Sequence, residues 1–167
     1  MMTWVQTQKL RRDEASLMTE WQTRWANMIL NGTYWKFVPK SSLDDMVRNI
    51  AVVNLKKCPG GAIASSKAVR QAARQDADLL KCQIQLYEPD IILTGGWGLV
   101  SNILHDEIFA DDAEWIRPHE ETALWYYKSS LVCTGKETLV VSMPHPNRAA
   151  KNWTLELEKV LRAIGRL

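Results

Sequence analysis

The sequence predicts an α/β domain with a mostly parallel central sheet. Three short apolar runs, at residues 50–53, 91–93 and 139–141, have the continuous hydrophobic character of strands that are buried on both faces. Elsewhere, apolar residues recur at steps of three and four, which indicates amphipathic helices. Strands that alternate with helices in this way form a sheet that is covered by helices on its faces.

The composition predicts a single globular domain that spans residues 1–167. The chain has 167 residues, of which 46% are hydrophobic and 24% are charged, and this supplies enough apolar material for a sizeable core. The net charge of +2 is too small to indicate a nucleic-acid partner by itself. Any basic binding surface therefore has to be local.

Features that would direct the chain to a membrane or an oxidising compartment are missing from the sequence. No apolar run approaches the roughly 20 residues that a membrane helix needs, and residues 1–12 have no signal-peptide hydrophobic region. The three cysteines form neither a disulfide framework nor a zinc pattern. We expect a cytoplasmic protein with no membrane partner and no cofactor.

The N-terminal third of the chain predicts one short strand and one long helix. Residues 3–8 are a candidate first strand because Trp4 and Val5 favour β-structure, although the stretch is brief and polar. A helix follows from Asp13 and ends at Asn31-Gly32, a usual helix stop. Its apolar face is predicted to pack in the core and contains Leu17, Met18, Trp21, Trp25, Met28 and Ile29.

The central part of the chain predicts two strands separated by a long helix. Residues 49–55 form the first strand of this part, and a helix capped by Ser65 or Ser66 extends to about Tyr87. Residues 91–93 form the next strand, followed by a glycine-containing loop and a helix over residues 99–105. The buried stripe of the long helix is predicted to contain Val69, Ala73, Ala77, Leu80 and Ile84.

The C-terminal part predicts an irregular acidic stretch, two edge strands, one buried strand and a final helix. Residues 106–121 are the irregular stretch, residues 125–128 and 131–134 the edge strands, and residues 139–142 the buried strand. Asn147 caps the final helix. The core face of that helix is predicted to contain Trp153, Leu157, Val160 or Leu161, and Ile164.

The predicted topology brings together three loops that are far apart in the sequence. Ligands of open α/β sheets bind at the carboxyl ends of the strands, and here these ends lead into residues 54–61, 94–98 and 144–148. The last loop holds His145 between two prolines. Each proline restricts its own φ and the residue before it, so this histidine is either a positioned functional group or part of a stiff turn.

Five residues in these loops are candidates for binding or catalysis. The Asn54 amide is able to read the edge of a base through its donors and acceptor, or it ends a strand and bonds its own loop. His145 is able to hydrogen-bond a carbonyl on which charge develops, or it is structural. Lys56 offers a phosphate contact or ordinary surface charge, and Asn147 and Arg148 lie at a helix N-terminus that favours an anion.

Common catalytic and cofactor motifs are missing. The glycine loop at residues 94–98 matches neither a dinucleotide fingerprint nor a phosphate-binding Walker loop, because no lysine follows in the required place. The zinc-protease, esterase and thiol-redox signatures are also missing. A nucleotide-binding protein that uses Gly95, Gly96 and Gly98 stays open as a weaker alternative.

The order and spacing of three short motifs resemble the uracil-DNA glycosylase superfamily. The sequence VVNLKKCP at residues 52–59 resembles the second-strand motif of that family, and LKCQI at residues 80–84 with PDIILTG at residues 89–95 resembles its next helix and strand. VSMPHPNR at residues 141–148 resembles its histidine–proline loop. The similarity covers residues 50–164 and is most like the iron–sulfur and related small bacterial classes.

The resemblance implies a three-layer α/β/α domain that binds a single-stranded or flipped nucleotide in DNA. Asn54 then pairs with the pyrimidine edge, and His145 stabilises charge on the base O2 as the N-glycosidic bond breaks. Lys56, Asn147 and Arg148 contact the DNA. The resemblance also places the stacking aromatic in the segment of Tyr34 and Trp35, and it implies that base extrusion is offset by contacts in the pocket.

The chain departs from the family pattern at its N-terminus and at its cysteines. The family has a loop there that positions the attacking water, whereas residues 5–10 contain no glycine, proline, Asp or Asn. Gln6, Gln8, Asp13 and Glu14 are the substitutes that the sequence offers. Cys58 matches one iron–sulfur ligand, but one cysteine does not hold a cluster. A non-catalytic relative that binds nucleic acid, a nucleobase or a protein therefore stays open beside the glycosylase.

Overall fold

The computed structural model describes residues 12–32, 49–55, 65–109, 113–118, 122–145 and 151–167, with side chains from residue 21 onward in the first helix and from residue 152 in the last. The helices are α1 (Arg12–Asn31), α2 (Ser66–Gln75), α3 (Ala77–Tyr87), α4 (Trp97–Ile103) and α5 (Lys151–Ala163), and a π-helical turn (Leu104–Phe109) follows α4. The strands are β1 (Ile91–Gly95), β2 (Tyr126–Ser130) and β3 (Glu137–Met143).

The three described strands form one mixed sheet in the order β1-β3-β2. β1 is parallel to β3, with Leu93 opposite Val141, whereas β2 is antiparallel to β3, with Tyr127 opposite Val140. The α/β class is therefore confirmed for the described part of the chain. The described sheet has one parallel and one antiparallel pair, because the short turn between β2 and β3 permits only antiparallel pairing.

Local signals in the sequence account for the helix boundaries. Gly32 follows α1 with a left-handed φ of +61° and its N–H donates to the Met28 carbonyl, which ends the helix as expected. The Ser65 hydroxyl accepts from the Ala68 N–H and caps α2. The single long helix that we predicted is divided at Asp76 into α2 and α3.

Two predicted strands do not form. Residues 50–54 have no regular secondary structure, and Val52 is 44% exposed, so the prediction of a doubly buried strand is wrong for this segment. Residues 132–134 form a turn, in which Val132 is 85% exposed and the Gly135 N–H donates to the Leu131 carbonyl. A β-favouring run becomes a strand only where a neighbouring backbone satisfies its hydrogen bonds.

Helices pack on both faces of the sheet, and alternate residues of β3 point to opposite sides. On one face, α1 and α5 cover Leu139 and Val141; their buried side chains are Trp25, Met28, Leu157, Val160 and Leu161. On the other face, α2, α3 and α4 cover Val140; their buried side chains are Ala73, Leu80, Ile84 and Ile103. The predicted core face of the long central helix, which forms α2 and α3, and that of the final helix are thus confirmed.

The region that we predicted to be irregular begins as helix. The π-helical turn ends at Phe109, and the Glu107 carboxylate accepts from the Arg74 guanidinium at 2.7 and 2.9 Å and from Arg70 at 2.9 Å. These arginines hold the pKa of the Glu107 carboxyl below its ordinary value. The ion pairs connect α2 to the π-helical turn.

None of the helices within the described ranges combines the length and the apolar character that crossing a membrane requires.

Candidate ligand-binding groove

A groove of about 1010 Å³ extends along the edge of β1 that faces away from β3. The C-terminal half of α1 forms one wall and residues 49–55 form another. The side of β1 forms the floor, with α2, α3 and α4 beside it. The apolar residues of α1, β1 and β3 that line the groove are Trp25, Ala26, Ile29, Leu30, Ile91, Ile92, Leu93 and Met143.

Two of the predicted site residues, Asn54 and His145, line this same groove although 91 positions separate them in the sequence. Both side chains are exposed to solvent. His145 follows β3 after the buried Pro144, at the carboxyl end of the sheet. The lining of one groove thus includes an amide, an imidazole and a large apolar surface, which is the composition of a small-molecule pocket.

The remaining site predictions lie outside the described residues. Lys56, Asn147 and Arg148 fall between described segments, so the structure does not place their side chains. The same holds for the aromatic candidates at residues 34 and 35 and for Cys58. The candidate water-positioning glutamines at residues 6 and 8 also lie outside the described ranges.

The contribution of α1 to the groove was not predicted from the sequence. Trp25 and Ile29 were assigned to the core face of their helix, yet both also line the groove. Trp25 is 3% exposed and its indole N–H donates to the Thr154 hydroxyl at 3.1 Å, so α5 holds this wall in place. Periodicity identifies an apolar helix face but does not show where that face borders a groove.

The glycine loop after β1 is constrained by its own backbone and by packing. Gly96 has a φ of +153°, and a Cβ at this position would lie 2.6 Å from Cγ2 of Val100. The Gly96 N–H donates to the Met143 carbonyl at 3.0 Å, which joins the loop to the end of β3. Backbone conformation and packing are sufficient to explain the need for glycine at position 96, so a nucleotide-binding role is not required to account for it.

A buried pair of hydroxyl groups joins α4 to β3 beneath that loop. The Ser101 hydroxyl donates to the Trp97 carbonyl at 3.1 Å, and its oxygen lies 3.0 Å from the Ser142 oxygen. Because the single Ser101 hydrogen is used on Trp97, the Ser142 hydroxyl is the donor between the two serines. The pair stabilises the first turn of α4, where Trp97 has a φ of +54°.

The acidic groups of the described groove lining lie at the end opposite to His145. Glu88 and Asp90 precede β1, whereas His145 follows the carboxyl end of the parallel strand β3. Five strand residues separate the two ends, or roughly 17 Å at about 3.3 Å per residue. The Asp90 carboxylate also forms an ion pair with Lys136 at 3.1 Å. No carboxylate among the described lining residues is therefore near His145.

Within the described ranges, no group of three or more His, Cys, Asp and Glu side chains is arranged to hold a metal ion. Glu107 and Glu156, whose carboxyl pKa values are shifted below the ordinary value, both lie outside the groove. For Glu156, burial raises the pKa, but hydrogen bonds from Lys159 and from the Ala123 N–H outweigh it.

Scans against protein-family models, curated proteins and solved structures found no match for this chain. The uracil-DNA glycosylase resemblance stays a prediction from short motifs. The groove that contains Asn54 and His145 is the structural observation from which a function is proposed.

Proposed function

We propose that this chain is a uracil-DNA glycosylase-like protein that excises a deaminated or modified base from DNA by hydrolysis of the N-glycosidic bond. The observation that carries the proposal is the presence of Asn54 and His145 in the lining of one groove. These are the two residues to which the motif resemblance assigns base recognition and charge stabilisation. DNA is the proposed partner, and the cytoplasm is the proposed location.

Asn54 acts in this proposal as the reader of the extruded base. Its amide offers two N–H donors and one carbonyl acceptor, which match the alternating acceptor and donor groups of a pyrimidine edge. The apolar side chains of the groove exclude water and strengthen these hydrogen bonds. Pairing and burial together offset the few kcal/mol that base extrusion costs.

His145 acts in this proposal on the leaving base. When the bond between the sugar C1′ and the base nitrogen breaks, its electron pair moves to the base and negative charge develops on O2. An imidazole N–H that donates to O2 stabilises this charge. Water adds its hydroxyl to C1′ and its proton goes to the departing base. Lys56, Asn147 and Arg148 contribute phosphate and groove contacts to the same complex.

A second candidate function is recognition of the base without cleavage. It is favoured by the sequence, since residues 5–10 contain none of the glycine, proline, Asp or Asn residues expected of the family's water-positioning loop. Hydrolysis in this chemistry needs a group that orients or deprotonates water. A protein that has the base pocket but lacks such a group binds the extruded base and leaves the glycosidic bond intact.

The test is a paired measurement on a single-stranded oligonucleotide that contains one uracil. Abasic sites are detected by strand cleavage in alkali, and binding is measured by titration in the same buffer at several salt concentrations. The proposal predicts abasic product, with a loss of about 100-fold or more when His145→Ala removes the charge-stabilising donor. Asn54→Ala is expected to weaken binding by about 10-fold or more, a typical cost of one polar contact to a base.

Asn102→Ala is the matched control for the Asn54 variant. Asn102 is exposed on α4 and does not line the groove, so both activity and binding are expected to be unchanged. Binding without abasic product would select the second candidate. Absence of both, with the variants folded, would refute the proposed DNA function.

A further inference from the structure

His105 lies in the π-helical turn that follows α4, and its ring connects this turn to the segment at residues 113–118. Its Nδ1 lies 2.9 Å from Oδ1 of the Asp106 carboxylate, and its Nε2 lies 2.9 Å from the carbonyl oxygen of Ala113. The imidazole is 17% exposed. Both contacts have the ordinary length of a hydrogen bond from a nitrogen donor.

Both of these contacts need a hydrogen on the imidazole. A backbone carbonyl only accepts, and the Asp106 carboxylate also accepts, since its other oxygen lies 3.7 Å from the Arg70 guanidinium in an ion pair. A neutral imidazole has one N–H and one lone pair, so it satisfies only one of the two acceptors. The imidazolium has two N–H groups and satisfies both. The arrangement therefore fits the protonated form of His105.

The aromatic rings around His105 also favour its positive charge. The six-atom geometry is set by Trp115, whose ring centroid lies 5.7 Å from that of the imidazole at an interplanar angle of 30°. The Tyr127 ring lies 5.0 Å away and is nearly perpendicular, at 89°. A cation within about 6 Å of an aromatic centroid is attracted to the negative face of the ring. Trp115 belongs to the same segment as Ala113, so both hold this segment to the imidazolium.

Charges on the surrounding elements leave Asp106 as the carboxylate that balances the imidazolium. Glu107, on the same turn, is neutralised by the Arg70 and Arg74 guanidinium groups of α2 at 2.9 and 2.7 Å. The other charged or titratable side chains on the elements around the ring include Asp78 and Lys81 on α3, Glu114 and Arg117 in the facing segment, and Tyr127 and Lys128 on β2.

We propose that the contact between His105 and Ala113 is a pH-sensitive link, which is formed when both ring nitrogens are protonated and broken when the ring is neutral. The neutral ring keeps its hydrogen on Nδ1, because a hydrogen bond to a carboxylate is stronger than one to a neutral carbonyl. The proton lost from Nε2 passes to water. Nε2 then has a lone pair 2.9 Å from the Ala113 oxygen, and two acceptors at this distance repel each other.

The link joins a wall of the groove to the sheet. Leu104, which precedes His105, lines the groove. On the other side of the link, Ile116 and Tyr126 exchange two backbone hydrogen bonds of 2.7 and 3.0 Å. Because the folded protein binds the proton more tightly than the unfolded chain, the link stabilises the fold at low pH and its contribution is lost as the pH rises. The inference concerns the fold and does not depend on the proposed glycosylase function.

NMR of the ring nitrogens in the full chain, from about pH 5 to about pH 9, tests the proposal. His105→Gln assigns the His105 signals among the three histidines of the chain. Both His105 nitrogens are expected to carry hydrogen at low pH, and Nδ1 alone at high pH. Over the same range, the exchange protection of the Ile116 amide, corrected for the intrinsic rate, is expected to fall by about 10-fold, which corresponds to the loss of one hydrogen bond. The Ser142 amide, which donates to the Trp125 carbonyl, is the internal control and is expected to keep its protection.

Asp106→Asn is the matched variant. The Asp106 side chain is 51% exposed, so the substitution places no new polar group in the core. The asparagine amide has no charge and is able to donate to Nδ1, so the neutral ring carries its hydrogen on Nε2 and stays bonded to Ala113. The midpoint of the His105 titration is therefore expected to fall by about one pH unit. The protection of the Ile116 amide is expected to persist to high pH.

Three results would overturn the proposal. Equal titration midpoints of His105 in the parent chain and in Asp106→Asn would show that the carboxylate does not stabilise the imidazolium. A neutral parent ring with its hydrogen on Nε2 would keep Ala113 bound at every pH. Ile116 protection that stays constant while the ring titrates would show that other contacts hold the segment. If Asp106→Asn unfolds the protein, with loss of the Ser142 protection as well, the tautomer and the Ile116 protection of the parent chain still decide the question.

Discussion

Replacement of Gly96 by alanine is expected to be the most informative single change in the loop beside the groove. The new Cβ would lie 2.6 Å from Cγ2 of Val100, and the backbone would have to keep a φ of +153°. Two separate penalties thus act at one position. The first is steric overlap with a half-buried side chain of α4, and the second is a backbone conformation that L-residues avoid.

Gly135→Ala provides the reference for the backbone penalty alone. Gly135 has a φ of +67°, and a Cβ added to it would meet no other atom within 4 Å. A left-handed conformation costs an L-residue about 1–2 kcal/mol, and forced overlap in a packed site adds about 1–3 kcal/mol. Gly135→Ala is therefore expected to lower the free energy of unfolding by about 1–2 kcal/mol, and Gly96→Ala by about 2–5 kcal/mol.

The backbone penalty and the steric penalty are both measured by urea denaturation. The variants required are Gly96→Ala, Gly135→Ala, Val100→Ala and the Gly96→Ala/Val100→Ala double variant. The double variant removes the Val100 methyl groups that meet the new Cβ, so the cycle is expected to show a favourable coupling of about 1–3 kcal/mol. Equal destabilisation by Gly96→Ala and Gly135→Ala, together with a coupling near zero, would refute the packing explanation for Gly96.

Two further predictions concern polar groups away from the groove. Arg74 and Arg70 hold the pKa of Glu107 below its ordinary value, so this carboxylate stabilises the fold above about pH 4.3 and the contribution is lost as the pH falls through the lower folded pKa. Urea titrations should show Glu107→Gln to be less stable than the parent at pH 7, with a difference that shrinks as the pH falls through the lowered pKa of Glu107; a difference independent of pH would contradict this. In the sheet, the buried Ser129 hydroxyl has no hydrogen-bond partner within the described structure, whereas the Ser142 hydroxyl donates to Ser101. Ser129→Ala is expected to leave the free energy of unfolding unchanged or raise it, and Ser142→Ala to lower it by about 1 kcal/mol. Equal losses would show that the two hydroxyl groups have similar environments.

Elements whose signals are local could be predicted from the amino-acid sequence alone. The Ser65 cap, the Gly32 stop and the three- and four-residue periodicity are sufficient to locate α1, the helical region of α2 and α3, and α5. Each of these signals acts within one or two turns of the chain. Strands β1 and β3 were also predictable, because their runs are continuously apolar.

Long-range packing determines which apolar runs become strands and where a groove forms, so neither could be predicted from local patterns. Residues 50–53 are as apolar as β1, yet they line a wall of the groove and pair with no described strand. The presence of Asn54 and His145 in the lining of one groove likewise depends on how α1, β1 and β3 pack around one edge. The physical reason is that a strand is completed by hydrogen bonds to a distant segment, whereas a helix satisfies its own backbone.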